Sequence, residues 1–217
     1  MVYALPEDEL VFPDPTLADS DGLLAVGGDL SRQRLLLAYR NGIFPWFSED
    51  DPICWYSPPE RCVLFPERVK VSESMAKILR DGVFKLRVNA NFKEVIQRCA
   101  SVPRKDQDGT WITSAMQQAY IDLHETGFAH SVEVYQGETL VGGLYGLLIN
   151  GVFCGESMFS TVSNASKAAL IGLCQQGNCR LVDCQIPNPH LMSLGAEMIS
   201  REDYLHLLKQ SANSAVR

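Results

Sequence analysis

Two short polar motifs, each set among apolar residues, could carry chemistry. In the first, FCGESM at residues 153–158, Glu156 is predicted at the end of a strand whose earlier residues are apolar. A carboxylate in that place could accept hydrogen bonds from an amine and position it. The alternative is a surface glutamate in a turn, and the residue type alone favours it because glutamate is mostly exposed in proteins.

The second motif is VDCQ at residues 182–185. Side chains alternate along a strand, so Asp183 and Gln185 are predicted on one face and Val182 and Cys184 on the other. Buried polar groups without hydrogen-bond partners destabilise a protein, so this pair needs partners. The pattern fits either a structural network or a site in which Asp183 orients Gln185 or accepts a proton.

Aromatic residues beside proline form a third set, in GIFPWF (42–47) and CWYSP (54–58). Such rings could stack on a nucleotide base with little help from charge. They could equally pack between two domains, which composition favours because large aromatics are usually core or interface anchors. Trp111, in GTWIT at 109–113, has the same two interpretations.

The cysteines and histidines do not form a recognisable site. The chain has seven cysteines, and no two of them form a CxxC motif. An odd number of cysteines cannot all form disulfides within one chain, so we expect reduced thiols and no zinc site. No cysteine-protease signature accompanies the four histidines. The glycines of VGGD and VGGLYG do not match the GxGxxG dinucleotide fingerprint and indicate turns or close backbone approach. We therefore expect no metal and no cofactor.

The elements that must position these residues are predicted from periodicity and from turn signals. The residues to about 87 are rich in proline, glycine and aromatics and predict a small, loop-rich domain. Helices are expected at 31–41, 72–80, 92–100, 114–125, 164–175 and 201–209, and strands at 131–135, 139–149, 151–156 and 180–186. Asn150-Gly151 is a strong hairpin signal between two of these strands. The pattern predicts an α+β fold with a domain at 1–87 and a second at 88–217.

Composition narrows the function further. A chain of 217 residues with 46% hydrophobic content can bury a substantial core. The net charge of -7 argues against a general nucleic-acid binder, so any such contact must be local. The first residues, MVYALPEDEL, show no basic start followed by a long apolar stretch, and no run of eighteen apolar residues occurs, so we expect a soluble cytosolic protein without membrane contact. Without coiled-coil heptads we expect a monomer.

Eleven motifs in order resemble the bacterial leucyl/phenylalanyl-tRNA–protein transferase family, from about Phe12 to Tyr204. They are FPDP, DGLLAVGGDL, LLLAYRNGIFPWFS, WYSPPERCVL, GTWIT, HSVEV, LVGGLYG, FCGESMFS, NASKAAL, LVDCQIPNPH and SLGAEMISREDY. The resemblance implies transfer of Leu, Phe or, less often, Met from aminoacyl-tRNA (Leu-tRNA or Phe-tRNA) to the N-terminal Arg or Lys of an acceptor protein. This transfer generates an N-end rule degradation signal. The resemblance also implies a GNAT-like C-terminal domain with a central, mainly antiparallel sheet flanked by helices.

Residue roles follow from the same resemblance. It implies that Trp46 and Trp111 hold the terminal adenosine of tRNA, and that Glu156, Asp183 and Gln185 form the catalytic group. The amino-acid side chain is expected in a pocket lined by Leu144, Phe153, Leu170, Leu173 and Val182. The tRNA backbone is expected against Lys77, Arg80, Lys85 and Arg87, although Glu73 and Asp81 lie among them and a solvated mixed-charge surface is the alternative. The family often has Met at position 144 and Phe at position 173, where this chain has Leu.

Two other functions are compatible with such a fold. An acyl-CoA N-acetyltransferase would need a glycine-rich loop before a helix to hold pyrophosphate, and GESMFSTVSNASK contains none. A non-catalytic aminoacyl-tRNA binding protein would not need Glu156, Asp183 and Gln185 together. The sequence therefore favours the aminoacyl transferase.

Overall fold

The computed structural model describes residues 2–102 and 111–214, with side chains to residue 210. The strands are β1 (Tyr3–Leu5), β2 (Leu23–Gly27), β3 (Phe44–Pro45), β4 (Cys54–Tyr56), β5 (Glu60–Leu64), β6 (Lys85–Val88), β7 (Ala129–Gln136), β8 (Thr139–Ile149), β9 (Val152–Ser160), β10 (Leu181–Gln185) and β11 (Glu197–Ser200). The α-helices are α1 (Arg32–Arg40), α2 (Glu73–Arg80), α3 (Phe92–Ser101), α4 (Ser114–Glu125), α5 (Ala165–Gln175), α6 (Pro189–Ser193) and α7 (Arg201–Ser214). The last helix is longer than the sequence predicts.

A small sheet holds the first four strands in the order β1-β2-β4-β3. Helix α1 begins where the side chain of Ser31 accepts a hydrogen bond from the backbone N–H of Arg34, and Gly42 follows it with a positive φ of 71°. Leu35 and Tyr39, one turn apart, are buried by the helix. This helix therefore delivers a tyrosine hydroxyl into the interior.

The large sheet has seven strands in the order β11-β5-β10-β9-β8-β7-β6. All neighbours are antiparallel except β9 and β10, which run parallel. Asn150 and Gly151 have φ of 50° and 73°, the left-handed pair that a two-residue hairpin turn requires, and they join β8 to β9 as predicted. The α+β class and the antiparallel meander of β7, β8 and β9 are confirmed.

Helices cover both faces of the large sheet. Helices α3 and α4 pack on one face, where Tyr145 and Leu147 lie in the first core cluster. Helix α5 packs on the other, where Leu144 and Phe153 lie in a second cluster. A strand in the middle of this sheet is buried on both sides, so polar side chains on β9 or β10 require internal partners.

The two sheets share one core. The first cluster joins Leu24 and Trp55 of the small sheet to Phe92 and Leu147 of the larger part. Strand β5 lies before residue 88 and β6 ends at Val88, yet both belong to the large sheet, and the change from one sheet to the other falls at residues 57–59. The division into domains 1–87 and 88–217 stays a prediction.

Candidate active site

The site begins where β9 and β10, the parallel pair of the large sheet, separate. The register of β9 and β10 runs through three residue pairs and ends where Asp183 faces Cys154. Strand β10 then bulges, and Gln185 takes a positive φ of 61°. The regular alternation predicted for this strand is therefore wrong at its end. The bulge brings Gln185 Nε2 within 3.0 Å of Glu156 Oε1.

Glu156 is a buried member of a hydrogen-bond network. It lies within β9, so its predicted place at the end of the strand is wrong, and its residue is only 8% exposed. Tyr39 donates its hydroxyl hydrogen to Glu156 Oε1 at 2.6 Å, and Tyr120 donates to Oε2 at 3.0 Å. The surface-turn alternative is excluded.

The two tyrosine hydroxyls that donate to Glu156 also contact each other. Burial raises the pKa of Glu156 to about 7, although hydrogen bonds from Tyr39 and Tyr120 lower it. Near neutral pH this carboxyl group can hold or release a proton.

Asp183 is held in a different way. Arg61 donates from Nε to Asp183 Oδ1 at 3.0 Å, Tyr204 donates to Oδ2 at 2.8 Å, and the backbone N–H of Gln185 donates to Oδ1 at 2.9 Å. Burial opposes the charge of Arg61, but the neighbouring carboxylate raises the pKa of this guanidinium above its ordinary value. The carboxylate of Asp183 is thus fixed in an ion pair, with its residue completely buried.

Arg61 also connects the two sheets. Its Nη2 donates to the carbonyl oxygen of Gly42 at 3.1 Å. Its guanidinium carbon lies 4.8 Å from the ring centroid of Phe44 and 4.4 Å from that of Tyr204, within the range of a cation–π contact. One buried arginine therefore fixes both the Asp183 carboxylate and the loop that leads into β3.

An apolar cavity of about 360 Å³ opens on the α5 side of this network. All five residues predicted for the side-chain pocket line it, namely Leu144, Phe153, Leu170, Leu173 and Val182. Glu156 and Gln185 form its polar end. The size and the lining suit one apolar amino-acid side chain with polar atoms at its base. We call this space the apolar cavity.

A second cavity of about 370 Å³ lies on the other side of the same polar residues. Trp46 and Trp111 line it together with Phe44, and Glu156 and Gln185 are again part of its wall. Trp46 is 37% exposed, and its ring centroid lies 5.8 Å from that of Tyr56 at an angle of 60°. We call this space the aromatic cavity. The two tryptophans singled out by the sequence thus face one space.

The four predicted backbone contacts lie elsewhere. Lys77 and Arg80 are exposed on α2, and Lys85 is exposed on β6. Arg87, also on β6, is half-buried and lies over the ring of Tyr135 at 4.8 Å. The structure brings these cations onto two consecutive elements but not to either cavity, so their role stays a prediction.

Four site residues were missed by the sequence analysis: Tyr39, Arg61, Tyr120 and Tyr204. Each buries a polar end in the network around Glu156 or Asp183. The available signal was a tyrosine on the apolar face of a predicted helix, since a buried phenol needs a hydrogen-bond partner. A tyrosine on such a face does not show which residue will be its hydrogen-bond partner. Nothing in the segment SPPERC shows that Arg61 is buried.

The described residues contain no group of three or more His, Cys, Asp or Glu side chains placed to hold a metal ion. The seven cysteines are free thiols. Within residues 2–102 and 111–214, no helix is both long enough and apolar enough to cross a membrane.

Two family models match the chain. Residues 63–209 match the model described as leucyl/phenylalanyl-tRNA protein transferase, and residues 28–59 match the N-terminal domain of the same protein. The chain belongs to this transferase family. The two matches meet between residues 59 and 63, close to the change from the small to the large sheet.

Curated members of the transferase family are similar over nearly the whole chain. The leucyl/phenylalanyl-tRNA–protein transferase of Flavobacterium johnsoniae is 53% identical over 211 residues, which cover 96% of this chain and 99% of that protein. The protein of the same name from Shewanella halifaxensis is 54% identical over 209 residues, which cover 94% and 88%. Every residue described above as lining the two cavities lies within the segments matched by the two family models.

Among solved structures, a GCN5-related N-acetyltransferase from Kribbella flavida aligns with 76% of this chain and 54% of its own. The TM-score is 0.39 and the identity is 13%. At this level the similarity carries no argument about function, and membership of the transferase family rests on the sequence matches alone.

Proposed function

We propose that this enzyme transfers Leu or Phe, and less often Met, from aminoacyl-tRNA to the N-terminal Arg or Lys of an acceptor protein. The observation that supports this most directly is the shared wall of Glu156 and Gln185 between the apolar and the aromatic cavity. A donor that joins an apolar side chain to a nucleoside through an ester would put its ester at this wall. Few other metabolites have that shape.

In the proposed complex, the terminal adenosine of tRNA lies between Trp46 and Trp111 in the aromatic cavity. Base stacking on aromatic rings needs little charge, which agrees with a net charge of -7. The amino-acid side chain fills the apolar cavity against Phe153 and Leu173. Side chains branched at Cβ would press on its wall, whereas Leu and Phe branch further out.

The reaction is aminolysis of an ester. The free amine of the acceptor attacks the ester carbonyl, a C–N bond forms, the C–O bond to the ribose breaks, and the amine proton ends on the ribose oxygen. The Nε2 of Gln185 donates to Glu156, which directs the amide oxygen of Gln185 toward an incoming amine. The ester is already activated, so the reaction needs no ATP and no covalent enzyme intermediate.

The two carboxyl groups have separate roles in this proposal. Asp183 accepts the backbone N–H of Gln185 and so fixes the bulge that presents its side chain. Glu156 faces the donor and orients the α-amine of the aminoacyl group, and its pKa of about 7 allows it to take part in proton exchange. Asp183 supports the amide of Gln185 electrostatically as the attacking nitrogen becomes positive.

The proposal extends to the partners. Lys77, Arg80, Lys85 and Arg87 would contact the phosphates of tRNA, and the acidic character of the chain would favour an acceptor that begins with Arg or Lys. The product would be a degradation signal of the N-end rule pathway. The enzyme would act as a monomer in the cytoplasm.

The test is transfer of radiolabelled Leu from Leu-tRNA to a peptide that begins with Arg, with a peptide that begins with Asp as the control. We expect transfer to the Arg peptide only. A Gln185→Ala variant should lose about 100-fold in rate, the lower range for loss of a proton-handling group. A folded wild-type protein that leaves Leu-tRNA intact but consumes acetyl-CoA would contradict the proposal.

A further inference from the structure

A third cavity, of about 340 Å³, adjoins the apolar cavity. Only Phe153 and Leu173, among the described lining residues, contribute to both spaces. Both are nearly completely buried, with exposures of 3% and 5%. A wall of two side chains therefore separates the apolar cavity from this third one, which we call the rear cavity.

The face of the large sheet beneath Phe153 and Leu173 is continuous from the apolar cavity to the rear cavity. Val132 of the rear cavity is the cross-strand neighbour of Leu144 in the apolar cavity, and Leu148 of the rear cavity is the neighbour of Phe153. Directly opposite residues in a sheet have Cβ atoms about 5 Å apart. The same face of the sheet thus runs under both spaces, and only the wall interrupts the passage.

The rim of the rear cavity is polar but carries no formal charge. Asn89, His130, Gln176 and Asn178 form this side of it, and His130 Nδ1 lies 3.0 Å from Asn89 Nδ2. Burial lowers the pKa of His130, which favours the neutral ring. Such a rim suits the neutral end of a long side chain rather than a carboxylate or an ammonium group.

We infer that the rear cavity is a closed extension of the donor side-chain pocket, and that Leu173 sets the upper limit on donor side-chain length. This inference rests on the proposed function. Leu173 forms the part of the wall that lies on helix α5, whereas Phe153 lies on β9 between its neighbours β8 and β10. The substrates excluded by the wall are aromatic side chains extended at the para position.

The helix provides a matched control. Leu170 and Leu173 are both buried leucines of α5 that line the apolar cavity, but only Leu173 reaches the rear cavity. Leu173→Ala joins the two spaces, whereas Leu170→Ala widens the apolar cavity without opening the wall. Both variants lose the same atoms from the same helix, and their free energies of unfolding, measured alongside, separate a change in selectivity from a loss of stability.

The experiment compares kcat/KM for tRNA charged with Leu, Phe or biphenylalanine in the wild type and both variants. We expect Leu173→Ala to raise the ratio of biphenylalanine to Leu by about 10-fold or more, since filling or losing one or two carbon groups changes selectivity on this scale. Leu170→Ala should leave that ratio nearly unchanged. Adding Asn178→Tyr, which fills the rear cavity from its rim, should cancel the gain.

Equal gains in both alanine variants, or wild-type transfer of biphenylalanine as fast as of Leu, would overturn the inference. Calorimetric binding of leucinamide and biphenylalaninamide to the same proteins tests the cavity without any transfer. If the wild type transfers no Leu but Leu173→Ala alone binds biphenylalaninamide more tightly, the proposed function fails while the extended pocket is supported. If Leu is transferred and the ratio does not move, the inference alone fails.

Discussion

Asp183 and Glu156 are two buried carboxyl groups joined through Gln185, yet their surroundings are opposite. Asp183 faces the guanidinium of Arg61, a permanent cation, at 3.0 Å. Glu156 faces two phenols and an amide, all of them neutral. The first environment stabilises a fixed charge, and the second leaves protonation open near pH 7.

This difference supports separate roles for the two carboxyl groups, a structural one for Asp183 and a chemical one for Glu156. A carboxylate that is ion-paired and hydrogen-bonded on both oxygens is well suited to hold a backbone bulge in place. A carboxyl group that accepts hydrogen bonds from the neutral phenols of Tyr39 and Tyr120 can change its protonation state during a reaction. It also borders both cavities. The comparison supports the proposed roles, positioning for Asp183 and proton handling for Glu156, and three predictions test it.

The largest effect is expected from removal of the cation. Arg61→Met leaves the Asp183 carboxylate buried without its partner, which should lower the free energy of unfolding by about 3–5 kcal/mol. The double variant Arg61→Met, Asp183→Asn removes both charges and should recover a large part of the loss. Urea denaturation of the three proteins measures this directly. A single variant as stable as the wild type would show that the ion pair is not what holds this region.

The next effect concerns the pH dependence of stability. The folded pKa of Glu156 is about 7 and its ordinary value is 4.5, so the folded state binds more protons between these values. The stability from the protonated group is fully present below pH 4.5 and is lost as pH rises through 7, by about 3 kcal/mol. The Glu156→Gln variant has no carboxyl group at this position to titrate, so its free energy of unfolding should not show this loss.

The measurement is the difference between wild-type and Glu156→Gln unfolding free energies at several pH values from 4 to 8, which cancels the other titrating groups. The variant should gain relative stability as pH rises while its transfer rate falls about 100-fold. A difference that does not change with pH would mean that Glu156 titrates near its ordinary value.

The smallest effect distinguishes the two tyrosines that serve the two carboxyl groups. Tyr120→Phe removes a hydrogen bond that lowers the pKa of Glu156, so the pH range over which stability is lost should move to higher pH. Tyr204→Phe removes a hydrogen-bond donor to Asp183 and should lower the free energy of unfolding by about 1.5–3 kcal/mol. The pH range over which Glu156 titrates should not move in this variant. Equal shifts of this pH range in both variants would contradict the separation of the two networks.

The sequence predicted local features well. The Asn150-Gly151 hairpin and the helices predicted from Ser31 and Ser72 depend on residue types that act on neighbouring backbone, so they can be recognised in a single chain. The candidate side-chain pocket was named from the family resemblance, and its five residues do line one cavity.

The parts that were not predicted depend on long-range contacts. A glutamine at φ 61° gives no signal, because only the surrounding hydrogen bonds make this backbone conformation favourable. The burial of Arg61 depends on Gly42, Phe44 and Tyr204, which lie on other elements. Such a contact cannot be inferred from residue type, since arginine is mostly exposed in proteins.

Strand β6 lies at one edge of the large sheet, and this position has a consequence for aggregation. An edge strand offers unpaired backbone groups to any extended peptide, and natural proteins limit this with short strands and with lysine. Strand β6 has four residues and an exposed Lys85. Variants made to test the proposed tRNA contact should therefore reverse the charge of Lys85, because an apolar residue there would leave KLRV open to strand addition by a second molecule.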